Sequence, residues 1–213
     1  LNSYDEERHE SASQNVQVIN RTARFLRTAN GFERLFRKAA ISLARQYHFA
    51  RQLINTGRMA VANSYTQSGI CDRTGGLSVQ NVAFRWADGK AGTNGSQPAS
   101  SGVVNDLLAW ANGDLLVLVF GDMSGAACQR LQQLSLHAPV RCVQVVGPDS
   151  RCTAREHIVD PQGHLQGACH VFGHAWALVR PDGYLAATGE SVDTGMIQAV
   201  ERALGIQSQG GSA

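Results

Sequence analysis

The sequence predicts an α/β fold in which an N-terminal pair of helices precedes a domain with a central β-sheet flanked by helices. In the first 53 residues the apolar positions recur every three or four residues, which is helical spacing. After residue 103, strand-length apolar runs alternate with helical stripes. The 213 residues are 43% hydrophobic and 17% charged. Such a chain can bury a sizeable core but has no room for two full catalytic domains.

Residues 1–62 are predicted to form the helical pair. The first helix runs from Asp5 to Leu26, and Asn30 and Gly31 interrupt the pattern after it. Its apolar stripe consists of Ala12, Val16, Ile19, Ala23 and Leu26. The second helix continues to about Leu53, and its apolar face consists of Phe32, Phe36, Ala39, Leu43 and Tyr47. These large apolar side chains are too many to leave in water, so we expect another surface to cover them.

Residues 63–102 are predicted to be a linker that holds one strand. Alternation of apolar and polar residues from Leu77 to Phe84 favours that strand. From residue 89 to residue 102 the composition is rich in glycine and serine, which predicts a loose surface loop. We therefore expect a domain boundary at residue 103.

Residues 103–206 are predicted to begin with a β-α-β unit. The continuous apolar run from Asp114 to Phe120 is typical of a central strand covered on both faces. Ser124 can cap the next helix, whose apolar stripe is Ala127, Leu131, Leu134 and Ala138. The second strand is Val140–Val146. A helical connection between these strands predicts that they pair in parallel with a right-handed crossover.

A hairpin and a last helix are predicted to complete the domain. The strands Trp176–Val179 and Tyr184–Ala187 flank the turn sequence Arg180-Pro181-Asp182-Gly183. The last helix starts at Ser191, and residues 207–213 are expected to fray. A β-α-β unit followed by a hairpin and a helix is the order of a thioredoxin-like fold, although topology alone assigns no function.

The five cysteines are predicted to be free thiols without a redox role. Cys71, Cys128, Cys142, Cys152 and Cys169 form an odd set with no Cys-x-x-Cys pair, which fits a reducing cytoplasm. Active thioredoxin-like proteins carry thiols at the end of the first central strand, where a helix N-terminus lowers the thiol pKa. The residues at that position here, 121–124, include no cysteine. A thiol enzyme that uses Cys128 or Cys142 is a weaker alternative.

No catalytic, cofactor-binding or metal-binding residue is predicted in this chain. The only cluster with metal-ligand chemistry is His164, Cys169, His170 and His174, whose spacing does not match paired zinc ligands. Polar loop histidines are the favoured interpretation. Residues 121–125 lack the Gly-x-Ser-x-Gly spacing of a nucleophile elbow. The glycines at 89, 92 and 95 lack the strand-to-helix turn of a dinucleotide site.

Charge and hydropathy argue against nucleic-acid and membrane partners. The net charge is +2, although residues 1–60 contain 10 basic and 5 acidic residues. Exposed aromatic residues do not interleave with these arginines, which favours a solvated helix face. No apolar run approaches the roughly 20 residues that cross a bilayer. The first eight residues do not have the composition of a signal peptide, so we expect a cytoplasmic protein whose chain begins within a longer one.

Two segments resemble the FAD-dependent aromatic-ring monooxygenases, the group that contains phenol and 3-(3-hydroxyphenyl)propionate hydroxylases. Leu1–Arg8, in which Tyr4 precedes Glu7 and Arg8, resembles the start of the helix that closes their flavin domain. Ala177–Tyr184 is similar to the hairpin near the end of their C-terminal thioredoxin-like domain. The resemblance extends more loosely through Tyr65-x-x-Ser68 and the strand Leu115–Phe120 over most of the chain.

The resemblance implies a C-terminal fragment of a flavoprotein that hydroxylates phenolic rings with FAD, NAD(P)H and O2. The family's flavin-binding motifs precede the matched region, and none is present in these residues. The fragment would itself be noncatalytic, would pack against the missing N-terminal flavin domain and would form homo-oligomers. A free-standing thioredoxin-like interaction module is the alternative. A flavin domain encoded upstream in the parent gene would distinguish the two.

Overall fold

A computed structural model describes residues 2–27, 31–47, 62–86, 101–123, 125–147, 157–160 and 162–206. The chain divides into two compact units, Leu1–Ser64 and Tyr65–Ala213. The first unit contains helices and the second contains a seven-stranded mixed sheet with helices. No helix in the described ranges has the length and apolar character needed to span a membrane.

The first unit contains the two predicted helices, α1 (Asn2–Leu26) and α2 (Gly31–Gln46). The predicted extension of α2 to Leu53 lies outside the described residues. Side-chain hydrogen bonds hold the end of this unit against α1: Gln14 Nε2 donates to the Ser64 carbonyl oxygen at 2.7 Å, and Asn63 Nδ2 donates to Ser11 Oγ at 2.6 Å. These polar contacts bring residues 63 and 64 alongside the middle of α1.

The apolar stripes of α1 and α2 are largely exposed. Ala40 is the one residue of the described part of α2 that is buried. The large apolar side chains that are exposed on the two helices and just after α2 are Tyr4, Val16, Ile19, Phe32, Leu35, Phe36, Ile41, Leu43 and Tyr47. Each such group forgoes about 1.5 to 3 kcal/mol of burial free energy. This is the exposed apolar surface that the sequence predicted.

The second unit is built on seven strands in the order β2-β1-β5-β4-β3-β6-β7. The strands are β1 (Ala83–Trp86), β2 (Gly102–Val103), β3 (Leu115–Phe120), β4 (Val140–Val146), β5 (His157–Val159), β6 (Trp176–Val179) and β7 (Leu185–Gly189). The helices are α3 (Val104–Ala111), α4 (Ala126–Leu134), α5 (His164–Ala168) and α6 (Thr194–Ala203). The three neighbours β3, β4 and β5 pair in parallel, and every other pair is antiparallel.

The predicted β-α-β unit is confirmed as β3-α4-β4. The two strands pair in parallel from Leu115 opposite Val140 to Phe120 opposite Val145. β3 is buried from its first residue to its fifth, as expected of a continuous apolar run. The structure places Gly125 at the N-cap of α4, and the predicted cap Ser124 lies outside the described residues.

Alternate side chains of β3 face two separate cores. Leu115, Val117 and Val119 pack with a cluster that includes Leu131 of α4 and Met196 of α6. Leu116 and Leu118 pack with a cluster that includes Leu107 of α3, Leu165 of α5 and Ile158 of β5. Because successive strand residues point to opposite faces, this division places helices on both faces of the sheet.

The predicted hairpin is confirmed, with its second strand at Leu185–Gly189 instead of Tyr184–Ala187. The Arg180 amide donates to the Tyr184 carbonyl oxygen at 2.7 Å, and Gly183 has a φ of +81° that suits glycine. The last helix begins later than predicted. Its N-cap is Asp193, whose Oδ1 accepts the Gly195 amide at 2.8 Å, and Ser191 Oγ donates to Asp193 Oδ2.

The predicted strand Leu77–Phe84 is wrong in its extent, because the start of that segment runs along β7 and only its last two residues belong to β1. Residues 83–86 form β1, which pairs with β2 and β5. Residues 72–79 instead run along the outer side of β7: the Gly76 amide donates to the Leu185 carbonyl oxygen, and the Leu185 amide donates to the Leu77 carbonyl oxygen, each at 2.8 Å. Alternation of apolar and polar residues does not show which strand each part of a segment pairs with.

The segment 72–79, named here the β7 strap, satisfies main-chain groups that an edge strand would leave open. It lies very close to its neighbours. A Cβ at Gly75 would lie 2.3 Å from the Ala186 carbonyl oxygen, and a Cβ at Gly76 would lie 2.4 Å from the Tyr65 carbonyl oxygen. Residues 72–79 of the expected linker are therefore a tightly packed part of the second unit, and its residues 87–100 lie outside the described residues.

Candidate functional site

The parallel strands β3, β4 and β5 end at the same edge of the sheet, which we call the carboxyl edge. A cavity of about 590 Å³ opens there. Its lining includes the polar side chains of Asp122, Gln144, Asp160 and Gln166 and the glycines Gly121, Gly147 and Gly163. Ligands of open α/β sheets commonly bind in the crevice outside the carboxyl ends of the strands. The cavity is therefore the candidate functional site of this chain.

Gln144 brings a buried amide to the wall of the cavity. It lies on β4 opposite Val119 of β3, and its side chain is only 2% exposed. Its Nε2 donates to the Gly121 carbonyl oxygen at 2.5 Å. Gly121 follows β3 with a φ of +136°, a conformation that side chains disfavour. The hydrogen bond holds the turn after β3 against β4.

Asp160 brings a buried carboxylate to the same cavity. It follows β5, and its amide donates to the Val146 carbonyl oxygen of β4 at 2.9 Å. Its Oδ1 and Oδ2 accept the amides of His164 and Leu165 at 3.0 and 2.8 Å. The residue is 6% exposed. A carboxylate that accepts two main-chain hydrogen bonds is held rigidly, so the main chain fixes its position in the cavity.

Two of the cysteines, Cys128 and Cys169, lie in the interior of the second unit. Cys128 is buried in α4, where burial and then the charge of Asp122 raise the pKa of its thiol. Cys169 is buried beside α5, where burial and then the charge of Asp160 raise the pKa of its thiol to about 12. A raised pKa keeps a thiol protonated and unreactive at neutral pH.

The other cysteines occupy different environments. Cys142 on β4 is partly buried, and its Sγ lies 4.0 Å from Met123 Sδ. Cys71 is partly buried, and its Sγ donates to the Leu185 carbonyl oxygen at 3.6 Å. Cys152 lies outside the described residues. Sulfur contacts of these kinds are ordinary packing for a partly buried thiol.

The histidines of the predicted weak metal cluster are spread along α5 and the turn after it. His164 begins α5, and His170, with a φ of +56°, follows Cys169. Within the described ranges no group of three or more His, Cys, Asp or Glu residues could hold a metal ion. The glycines at 89, 92 and 95 lie outside the described residues.

Sequence reasoning missed the two residues that build the cavity. Gln144 interrupts an otherwise apolar strand, Val140–Val146, and a glutamine within a buried run is a signal that could have been noticed. Asp160 lies four residues before His164, the first residue of α5. A proline follows Asp160 and α5 is short, so the sequence shows no clear capping pattern there. The cavity depends on strands that are distant in sequence, so no local pattern predicted it.

The turn after β3 does not suit a flavin pyrophosphate. A dinucleotide turn needs Gly-x-Gly-x-x-Gly so that main-chain amides can approach the phosphates. The sequence here is Gly121-Asp122-Met123-Ser124-Gly125, and the carboxylate of Asp122 would repel an anion. These residues therefore do not fit a flavin pyrophosphate.

Comparison with known proteins gives a fold but no family. No protein-family profile matches the sequence, and no curated protein matches it. A structure of RebC-10x soaked with chromopyrrolic acid and holding 7-carboxy-K252c aligns with 97% of this chain at a TM-score of 0.55 and 21% identity. The rebeccamycin biosynthetic enzyme RebC with reduced flavin aligns with 97% of this chain at a TM-score of 0.54 and 20% identity.

The chain spans about a third of the length of these RebC structures, since the alignments cover 36% of each. CabE, an aromatic hydroxylase from angucycline biosynthesis, aligns with 81% of this chain and 29% of its own at 20% identity and a TM-score of 0.44. The RebC alignments establish a shared fold for nearly the whole chain.

Proposed function

We propose that this chain is the C-terminal part of an FAD-dependent aromatic-ring hydroxylase and that it is noncatalytic by itself. The observation that supports this most is the alignment of 97% of the chain with about a third of RebC, a structure described with reduced flavin. The resemblance of Leu1–Arg8 and Ala177–Tyr184 to such hydroxylases supports the same family independently. FAD, NAD(P)H and O2 would be reactants of the full-length parent, acting on a phenolic ring.

The second unit is proposed to be a thioredoxin-like domain without its thiol pair. The four strands β4, β3, β6 and β7 lie side by side in that order, as a β-α-β unit and a following hairpin require. Helices α4 and α6 pack into the same core cluster, which places them on one face. The turn where a thiol pair would lie carries Asp122 and Met123 instead. Packing and subunit contact are then the role of the domain.

The opening segment of α1, which carries one of the two resemblances, contains a local side-chain contact. Arg8 Nε donates to Tyr4 Oη at 2.9 Å, and the guanidinium carbon lies 5.1 Å from the centre of the Tyr4 ring. The two residues are one helical turn apart, so the pair stiffens the start of α1. A fixed start suits a helix that closes a preceding domain.

The exposed stripes of α1 and α2 are proposed to be covered by the flavin domain of the parent. Phe32 is 79% exposed and Phe36 is 59% exposed, which is unusual for side chains of this size on neighbouring turns. In the isolated chain a second copy would cover the same surface, giving a homo-oligomer. Burial of apolar area supplies the driving force in both cases.

Sequencing the parent gene upstream of the codon for Leu1 tests the proposal directly. We expect a Gly-rich flavin-binding region there, and the full-length protein should purify with FAD and oxidise NAD(P)H in the presence of a phenol. The 213-residue chain alone should purify without flavin. An upstream stop codon would favour the alternative, a free-standing thioredoxin-like interaction module. Stoichiometric flavin on the 213-residue chain would contradict the noncatalytic assignment.

A further inference from the structure

Helix α2 turns its apolar side away from its own unit. Its buried residue is Ala40, and Glu33, Arg37 and Ala44 are half-buried. These four positions are spaced by four, three and four residues, so they lie on one side of the helix. The inward side of α2 therefore carries charged and small residues, and its large apolar residues lie elsewhere.

The large apolar residues of α2 form an exposed stripe, named here the α2 face. Phe32, Leu35, Phe36 and Leu43 are 79%, 66%, 59% and 44% exposed. The last three follow Phe32 by 3, 4 and 11 residues, which is the spacing of a single helical side. An exposed apolar patch of this kind marks a site of interaction with another surface.

Helix α1 has the same arrangement. Its polar residues Ser11 and Gln14 form hydrogen bonds with residues 63–64 of their own unit. Its apolar residues Val16 and Ile19 are 53% and 48% exposed. Since both helices use polar residues inward and expose apolar ones, the exposed stripes are not merely parts of an incomplete core within the unit.

A row of basic residues runs along one border of the α2 face. Arg34, Lys38 and Arg45 are exposed and are spaced by four and seven residues, so they lie on one side of the helix. Around the helix, Leu35 lies between this basic row and Phe32. The α2 face therefore has a cationic rim, as interfaces commonly combine an apolar centre with a polar rim.

The basic row has no acidic counterpart on the exposed part of α2. The helix contains four basic residues and one acidic residue, Glu33, which lies on the inward side. Among the described residues, no acidic side chain forms an ion pair with a member of the basic row. A partner with basic groups at this rim would be repelled, whereas a partner with carboxylates would be attracted.

We propose that the α2 face docks into an apolar groove of the N-terminal part of the parent enzyme and that carboxylates on one rim of this groove contact the basic row. This inference rests on the proposed function. The chain aligns with 36% of RebC at a TM-score of 0.55, so a protein of that length has most of its residues outside these 213. A groove with one acidic rim fixes the rotation of α2 about its axis as well as its position.

Carbodiimide cross-linking of the full-length parent tests the proposal. The reagent joins a carboxylate to an amine that touches it, and Lys38 is one of only two lysines in these 213 residues. We expect mass spectrometry to find Lys38 joined to an Asp or Glu that precedes Leu1. Lys38→Arg keeps the positive charge but removes the amine, so this control variant should lose the cross-link.

Charge reversal in the full-length parent measures the same contact without a reagent. Arg34→Glu should lower the Tm by about 3 °C, and 0.5 M NaCl should reduce the difference because salt screens exposed charges. Arg73→Glu is the matched control, because Arg73 is an exposed arginine of the second unit. It should lower the Tm by less than about 1 °C. Equal shifts for the two variants would overturn the proposal.

Other occupants of the α2 face would give different results. Cross-links from Lys38 to residues 1–213 of another copy, identified by mixing ¹⁴N- and ¹⁵N-labelled enzyme, would assign the face to a second copy. Binding of the full-length enzyme to phosphatidylglycerol vesicles, with no Lys38 cross-link, would assign it to an anionic membrane. Either result in a full-length flavoprotein overturns this inference alone, whereas an upstream stop codon contradicts the proposed function as well.

Discussion

At the scale of single residues, the second unit uses the main chain to hold its buried polar side chains. Asp160 is satisfied by two amides of α5, and Gln144 by the carbonyl group of Gly121. Neither side chain depends on an oppositely charged side chain for these contacts. Main-chain partners cannot rotate away, so the geometry of the carboxyl edge is set once the strands are paired.

Replacing Asp160 with Asn should destabilise the second unit. The Asn side chain offers one oxygen acceptor, so its amide group would face the second main-chain amide of α5. We expect the free energy of unfolding to fall by about 1 to 3 kcal/mol, measured by urea denaturation followed by circular dichroism. Glu190→Gln, which removes an exposed carboxylate, should change it by less than about 0.5 kcal/mol. Equal effects of the two variants would show that the Asp160 contacts contribute nothing.

The raised pKa of Cys169 predicts a loss of stability in alkali. Burial and then the charge of Asp160 raise this pKa from 9.0 to about 12 in the folded chain. An unfolded thiol ionises from about pH 9, while the folded thiol stays protonated, so the unfolded state is favoured increasingly between pH 9 and 12. We expect the free energy of unfolding to fall over this window.

Comparison of Cys169→Ala with the unchanged chain measures this contribution. Tyr184, whose pKa burial and then Tyr65 raise to about 12, adds a similar slope that the Cys169→Ala variant keeps. Chemical unfolding at pH 8, 9 and 10 should give a shallower decline for the variant than for the unchanged chain. Identical pH profiles would mean that the thiol does not stay protonated on folding.

At the scale of elements, residues 72–79 of the predicted linker form the β7 strap along one edge of the sheet. Its contacts are main-chain hydrogen bonds to Leu185 and Ala186, and its glycines allow that close approach. Tyr65 packs against Tyr184 with ring centres 4.7 Å apart and ring planes tilted by 47°, which adds an aromatic contact at the same edge. The edge of β7 is thereby closed to pairing with another chain.

Substitution of Gly76 by Ala should displace the β7 strap. Gly76 has a φ of +81°, and its Cβ would lie 2.4 Å from the Tyr65 carbonyl oxygen. Gly113→Ala is the matched control, because Gly113 has a φ of +88° with no atom within 4 Å of its Cβ. Both variants place a side chain at a positive φ and share that strain, but only Gly76→Ala adds a clash with the main chain. We expect Gly76→Ala to cost about 1 to 3 kcal/mol more in thermal or urea unfolding.

Equal destabilisation by the two alanine variants would show that the β7 strap moves aside at no cost. Hydrogen exchange provides an independent measurement of the same element. In the Gly76→Ala chain the amides of Gly76 and Leu185 should lose protection, because both are donors in the contact between the β7 strap and β7.

At the scale of the whole molecule, the two units differ in how they bury apolar surface. The second unit has two core clusters, one on each face of its sheet. The first unit exposes Phe32, Leu35 and Phe36 on α2, and because Leu35 and Phe36 lie three and four residues after Phe32, the three share one face of the helix. A helix with an uncovered apolar face gains stability from any surface that covers it.

Self-association of the isolated chain should depend on α2. Sedimentation velocity at micromolar concentration should show a dimer or larger species, and the double variant Phe32→Ser with Phe36→Ser should sediment as a monomer. Lys38→Ser on the same exposed helix is the control and should leave the association state unchanged. A monomeric unchanged chain that also fails to bind an apolar-surface dye would contradict the proposal and favour a self-contained module.

Several elements of the fold could be predicted because their patterns are local. The continuous apolar run of β3, the turn sequence between β6 and β7 and the stripes of α1 and α2 each identify their element within a few residues. α3, β5 and α5 were missed, since they span eight, three and five residues. Elements this short carry too few periodic positions to distinguish them from loops.

The sequence alone shows which faces of the strands and helices are apolar, because alternation and helical stripes are patterns of neighbouring residues. It does not show whether such a face is covered, as in β3, or exposed, as in α2. It also established that no thiol follows β3. That Gln144 and Asp160 line one cavity follows from tertiary structure, since parallel pairing of β4 with β5 brings together segments that are separated along the chain. The same holds for the β7 strap, whose partner is more than 100 residues away. Pairing between distant segments depends on the free energy of the whole sheet, which no local pattern encodes.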